Sequence, residues 1–444
     1  MTFTALRLFE LILFFHIFQP LLVLYTHCQQ INQQNDVCEP DQRMQVFCYI
    51  GLWYPETYSR RFSEDDMDPY LCTHVILAYF TFKKEGGNYV FAPYERGDAL
   101  TKSLIDRSSF KRSTQYLLCV GGFVDFDIDK YTQMARNPRM RKIFAKNVMA
   151  LLKLHRAHGV DFMWNYIGRR DYADTGDKVG DMHNLAQITE DLCDEMKKGG
   201  FLCVITLVKV EKRSLMSHKD YQANITAVVR AADFINIWTV DIIPVEFSDG
   251  SQSLMPQGLL IPTDNADERS YYDGYEDKSV NFVLDFYKTV LRNSTEHLRK
   301  LSLTVTLQFG AHGFRRGENA SINTHTAMHT NDNPITGDRR YQYPYFEICK
   351  NLLEDTSRWE LIEFPGGVPV AIDHGLDTAS KFIGAIPTVT EAYVRKKVAF
   401  ARSQNLGGIT IFHITADDIL GLCSNQTFPI LNAINEELNG CRYV

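Results

Sequence analysis

The sequence lacks an excess of positive charge, lacks any C-x-x-C pair or histidine cluster, and beyond its N-terminal stretch lacks an apolar run long enough to span a bilayer. Each absence removes a class of function. With 47 Lys and Arg against 54 Asp and Glu, the net charge of −7 offers no basic footprint for nucleic acid or for an anionic membrane. Without cysteines or histidines at ligand spacing, no metal site is expected, and no pattern calls for a cofactor. No internal repeat or low-complexity tract is recognised either. What remains is a chain of 444 residues, 45% hydrophobic and 23% charged, the make-up of a globular protein with length for a large core.

The first residues are of another kind. Arg7 and Glu10 precede an uncharged run through Leu11–Phe15 and Leu21–Tyr25, which reads as a secretory signal peptide over 1–28, cleaved near Cys28. A signal anchor competes, since clear small residues are missing at the cleavage site, but His16, Gln19 and Pro20 interrupt the run. Secretion, with no membrane attachment after cleavage, is the expectation. It fits the 10 cysteines and the sequons at Asn224, Asn293, Asn319 and Asn425, of which some are expected to carry glycans. A polar spacer follows over 29–45.

The chain is organised around His158-Gly159-Val160-Asp161-Phe162-Met163-Trp164-Asn165-Tyr166-Ile167. Helical apolar spacing from about Arg139 to Ala157 stops at Gly159, before a buried run. As a strand, this run places Asp161, Met163 and Asn165 on one face and Phe162 and Trp164 on the other. Similar strands are expected at Val46–Trp53, Leu71–Phe80, Tyr116–Phe123, Leu202–Val208, Phe234–Asp241, Leu301–Gly310 and Ile409–Asp418, with a helix over Val389–Gln404 before the last. Eight strands separated by helical stretches predict an α/β fold, a (β/α)8 barrel, whose sites sit at the strand carboxyl ends.

The central stretch resembles the strand-four signature D-x-x-D-x-D-x-E of the chitinases and chitinase-like proteins of glycoside hydrolase family 18. Gly159, Asp161, Trp164 and Tyr166 match, whereas His158, Met163, Asn165 and Ile167 stand where the family has Asp, Asp, Glu and Pro. Leu71-Cys72-Thr73-His74 is similar to the family's L-C-T-H, Gly121-Gly122-Phe123 to G-G-W, and Leu406-Gly407-Gly408 to the closing L-G-G. Tyr345-Phe346-Glu347-Ile348-Cys349 and Val368-Pro369-Val370-Ala371 resemble segments of a small α+β insertion between strands seven and eight. The resemblance thus implies a barrel over 46–310 and 387–441 with an insertion domain at 311–386. It further implies disulfides Cys48–Cys72 and Cys349–Cys423; spacing leaves Cys28, Cys38, Cys119, Cys193, Cys203 and Cys441 unpaired on paper. The stretches Ala416–Cys423 and Pro429–Asn435 are similar to arthropod members, mite allergens among them.

In the family the Glu protonates the glycosidic oxygen, and the preceding Asp orients the substrate acetamide that acts as nucleophile. Asn165 has no proton to give, and Met163 carries no charge and accepts only weak hydrogen bonds. The expectation is a non-enzyme with a degenerate motif at Asp161, Met163 and Asn165. Groove residues carried over are Tyr49, Trp53 and Asp241, with Phe123 and Phe412 in place of Trp and Trp238 in place of Met; for each aromatic the alternative is core packing. Three functions follow: a weak lectin for chitin or N-acetylglucosamine oligomers, an interaction protein meeting a protein partner, or a glycosidase with a rearranged acid. Glu211, Asp417 and Asp418 lie beyond strand ends for that third role, without spacing that makes them converge.

Overall fold

A computed structural model describes residues 44–52, 62–66, 68, 70–94, 98–108, 114–125, 127–165, 167, 177–207, 217–239, 251–252, 279–310, 312–315, 328–329, 342–364, 366–377, 382–424 and 426–439. The compact unit they build spans Met44–Leu438. The expected signal peptide and spacer up to Arg43 lie outside the described residues, as do Trp53, Tyr166, Glu211, Val240, Asp241, Asn319, Asn425, Cys28, Cys38 and Cys441.

Eight parallel strands close on themselves: Gln45–Gly51, His74–Glu85, Gln115–Gly121, Gly159–Met163, Leu202–Leu207, Phe234–Ile237, Leu301–Thr306 and Gly408–Phe412. Each pairs with the next in chain order, and the eighth returns to the first with Cys48 opposite Ile411. Strands buried on both faces read as continuous apolar runs, the pattern of a parallel sheet wrapped in helices. The helices come between them. Pro138–His155 starts at Asn137, whose side chain accepts the Arg139 and Met140 N–H groups, and ends at Arg156 in the left-handed region. Lys178–Gly199 is capped by Asp177 and ends at Gly200, with φ +73°. The carboxyl end of Lys219–Ala231 is closed by Lys300, whose ammonium donates to the carbonyls of Val229, Arg230 and Ala232.

Several strand limits differ from the sequence pattern. The first ends at Gly51 and the sixth at Ile237, because apolar character continues into the loops at the carboxyl ends. The second begins at His74 and runs on to Glu85, turning at Gly86-Gly87 into an antiparallel partner, Asn88–Pro93. Both glycines have positive φ, so the G-G pair between alternating residues was the hairpin signal. The expected seventh strand breaks at Leu307, which binds Phe412 and Tyr345 backbone, before Gln308–Gly310 pairs elsewhere. The eighth stops at Phe412 and is followed by a short 3-10 turn, Ile414–Ala416.

Between the seventh and eighth strands, His312–Arg315, Phe382–Pro387, Val368–Asp377 and Trp359–Phe364 form an antiparallel sheet in that order. A two-pronged Arg358–Asp373 ion pair (2.6 and 2.8 Å) ties the start of its outer strand to the buried middle of its neighbour. Helix Glu391–Ser403 then leads back to the barrel. The disulfides Cys48–Cys72 and Cys349–Cys423 are formed, and a third, Cys193–Cys203, pins helix Lys178–Gly199 to the fifth strand. Cys119 is free and buried.

Alternation divides the core in two. Phe162 and Trp164 join the shell between strands and helices, and Asp161 and Met163 point into the barrel, as the alternation requires. The barrel interior is filled in tiers. At its amino end Phe47 stacks on His74 (4.5 Å) with Phe234 edge-on to both, and burial lowers the His74 pKa to about 4. Above lies a polar ring. Asp161 accepts the Tyr49 hydroxyl at 2.6 Å and the Thr206 hydroxyl at 2.8 Å, with the Cys119 thiol also hydrogen-bonded to it. Asn236 donates its amide to Thr206, and its carbonyl accepts from Ser302 (2.7 Å) and Thr410 (2.9 Å). Seven strands contribute to this ring, so its polar groups find partners on neighbouring strands.

Burial raises the Asp161 carboxyl above its ordinary range, against the lowering pull of its hydrogen bonds from Tyr49, Cys119 and Thr206. A raised pKa in the fold means that Asp161 contributes stability at pH values below the unfolded pKa of about 4 and loses it as pH rises through the folded value. The neutral Asp161→Asn variant should therefore gain on the parent between about pH 4 and pH 7.5 in urea midpoints; parallel curves would contradict this. Replacing Cys193 and Cys203 together with Ala should cost roughly 2–3 kcal/mol, read from the same midpoints.

Candidate functional site

The carboxyl ends of the strands place the motif residues where a barrel keeps its chemistry. Gly121 and Gly122, at φ +104° and +90°, end the third strand beside Met163. A Cβ on Gly121 would stand 2.3 Å from the Met163 carbonyl, and one on Gly122 would stand 2.2 Å from the Tyr79 ring. Only glycines fit this turn, which swings Phe123 over the mouth of the barrel. Met163 is wholly buried inside it. Asn165 lies in a turn just past the end of the fourth strand, half-buried.

Across the mouth, rings from five strands or their ends meet. Trp238 lies 4.7 Å from Phe412 and 4.9 Å from Phe123, with interplanar angles of 70° and 60°. Phe123 and Phe412 meet at 5.8 Å and 72°. Tyr49 stands edge-on to Phe412 at 5.6 Å and to Trp238 at 6.5 Å, and Tyr79 is edge-on to Phe123 at 6.1 Å. Trp238 is 3% exposed and Phe412 6%. The backbone holds Trp238 from both sides: its N–H donates to the Leu207 carbonyl at 2.8 Å, and the next residue, Thr239, donates its hydroxyl to the Thr304 carbonyl at 2.7 Å.

Tyr49, carried over as a groove residue, is thus fully enclosed. Its hydroxyl is spent on Asp161, and burial, with the Asp161 charge second, raises its pKa well above the ordinary tyrosine value. Trp53 and Asp241 lie outside the described residues. The structure therefore brings Tyr49, Phe123, Trp238, Phe412 and Met163 together as packing partners. Tyr79 and Thr206 complete the set with Cys119, which the sequence analysis named only as an unassigned cysteine; the signal for Tyr79 and Thr206 was inward alternation on strands two and five.

Two acids weighed for a rearranged role are occupied elsewhere. Asp417 is fully buried and accepts N–H groups from Asp418, Ile430 and Leu431, fixing the start of helix Pro429–Asn439. Asp418, also buried, accepts from Leu422 and Cys423. His158 accepts the Tyr116 N–H at 3.0 Å, and buried His413, its pKa lowered to about 3 by burial, pairs with Thr415. Among the described residues no group of three or more His, Cys, Asp or Glu side chains is placed to hold a metal ion.

With this geometry in hand, comparison with known proteins gives a consistent picture. The chain is 23% identical over 431 residues to "Probable chitinase 2" of Drosophila melanogaster, covering 88% of this chain and 80% of that protein. It is 22% identical over 419 residues to "Chitinase-like protein Idgf2" of the same organism, covering 83% and 88%. It spans only 17% of the length of "Probable chitinase 10", also from Drosophila melanogaster. Among solved structures, catalytic domain 2 of the Ostrinia furnacalis Group II chitinase superposes with a TM-score of 0.71 at 20% identity, over 90% of this chain and 97% of that one. Human YKL-39, described as a pseudo-chitinase with retained chitooligosaccharide binding properties, gives 0.67 at 16%, over 89% and 99%. The profile described as "Glycosyl hydrolases family 18" matches residues 45–417, and the chain belongs to that family.

Proposed function

We propose that this chain is a secreted, glycosylated chitinase-like protein that does not hydrolyse chitin. The observation that carries this is a pair of residues at the carboxyl end of the fourth strand: an amide, Asn165, where the family keeps its proton donor, and an enclosed thioether, Met163, where it keeps the carboxylate that orients the acetamide. General acid catalysis contributes roughly 10²–10⁴-fold, and an amide supplies none of it. Asp161 remains, but it is fully buried and bonded to Tyr49 and Thr206. YKL-39 is a precedent in the same fold for binding without turnover.

A second reading, an interaction protein without a sugar ligand, is favoured by one observation. Every ring contact among Tyr49, Phe123, Trp238 and Phe412 is edge-to-face, so the flat faces that a pyranose would stack on are covered. Secretion is supported by the disulfides, which persist in oxidising compartments. No described helix is long and apolar enough to cross a membrane. Of the two described sequons, Asn293 is exposed, in a left-handed turn after helix Val280–Val290, whereas Asn224 sits mid-helix and half-buried against His183.

Incubated with a fluorogenic chitooligosaccharide, the purified protein should turn over no faster than its Asn165→Ala variant; a parent rate well above that variant would refute the inactive reading. Treatment of the secreted protein with an N-glycan-releasing amidase should lower its mass, and Asn293→Gln should abolish one step of that shift. An unchanged mass would show Asn293 bare.

A further inference from the structure

Resting on the assignment of the strand ends as the family's sugar site, we infer that Trp238 is the specificity-determining residue that closes this site to N-acetylglucosamine oligomers. The loss of the proton donor would stop turnover and leave binding intact. Exclusion of the ligand needs a separate cause, and the aromatic cluster supplies one. Trp238 is the largest ring of the cluster and meets Phe123, Phe412 and Tyr49 edge-to-face, at 4.9, 4.7 and 6.5 Å. With 3% of its surface exposed, neither face of the indole is open to a sugar. Tyr94 and Val124 pack on the same cluster from the rim.

The indole is also fixed. Its backbone is gripped by Leu207 on one side, and Thr239 beside it is held by Thr304 on the other, while Thr304 in turn donates to the Ile237 carbonyl at 2.9 Å. Swinging it out would break its edge-to-face contacts with Phe123, Phe412 and Tyr49. A bound oligosaccharide must therefore displace a packed ring before it can stack, and the occupied volume lies over Met163, in the interior of the barrel. Removing this one side chain leaves Tyr49, Phe123 and Phe412 lining an opened mouth.

Calorimetric titration with N-acetylchitopentaose, using full-length secreted protein, tests this. The parent should show a Kd above about 1 mM, and Trp238→Ala and Trp238→Met should bind at least about tenfold more tightly. Circular dichroism and a cooperative melting transition establish that each variant is folded; where both Trp238 variants fail that check, Phe412→Ala opens the same cluster from the eighth strand and should show the same gain. A folded variant with no gain, or a parent that binds as tightly as the variants, overturns the inference. Hydrolysis is followed in the same samples. Gain of binding without cleavage supports both the closure and the missing acid, whereas gain with cleavage upholds Trp238 as the closure and defeats the inactive reading.

Discussion

A closed barrel has an inside that must be filled, and everything characteristic of this chain follows from how it is filled. Inward side chains cannot reach solvent, so each polar one needs a partner across the barrel and each apolar one needs a neighbour of matching shape. At the amino end Phe47, His74 and Phe234 close the floor. In the middle Asp161 and Asn236 act as two acceptors around which hydroxyls from neighbouring strands arrange themselves. At the carboxyl end aromatic rings take over.

That last tier connects packing with chemistry. A site that binds a sugar keeps its mouth empty and its ring faces exposed, which leaves apolar surface in water. At the same end of the barrel the sequence carries Met163 and Asn165. Filling the mouth with Trp238, Phe412 and Phe123 adds buried area and edge-to-face contacts. Met163 and the packed rings thus belong to one interior cluster. The retained Asp161 fits the same view: it serves the interior hydrogen-bond ring, whose other members would be left with unmatched donors in its absence.

The scaffold around this interior is held by independent devices. Side-chain caps at Asn137, Asp177 and Asp417 start helices, Lys300 ends another, and disulfides clamp the first strand to the second, a helix to the fifth strand, and helix Tyr345–Glu354 to the loop after the eighth. Asp417 and Asp418 look, by position, like acids at a site, yet their oxygens are taken up by backbone N–H groups. Backbone demand, invisible to a motif, decides their role.

The barrel was legible in the strand runs of the sequence alone, and its insertion through the family resemblance. Strand runs and the identity of residues 163 and 165 are local properties, since neither a thioether nor an amide has an acidic proton near neutral pH in any surroundings. The Cys48–Cys72 and Cys349–Cys423 bridges were legible through resemblance; Cys193–Cys203 was not, because two cysteines ten apart meet only if the helix end and the strand start bring them together. Whether Trp238 offered a face to a ligand or packed into the core also lay beyond the sequence. The answer depends on rings from strands one, three, six and eight converging over one opening, and only the closed barrel sets the distances between them.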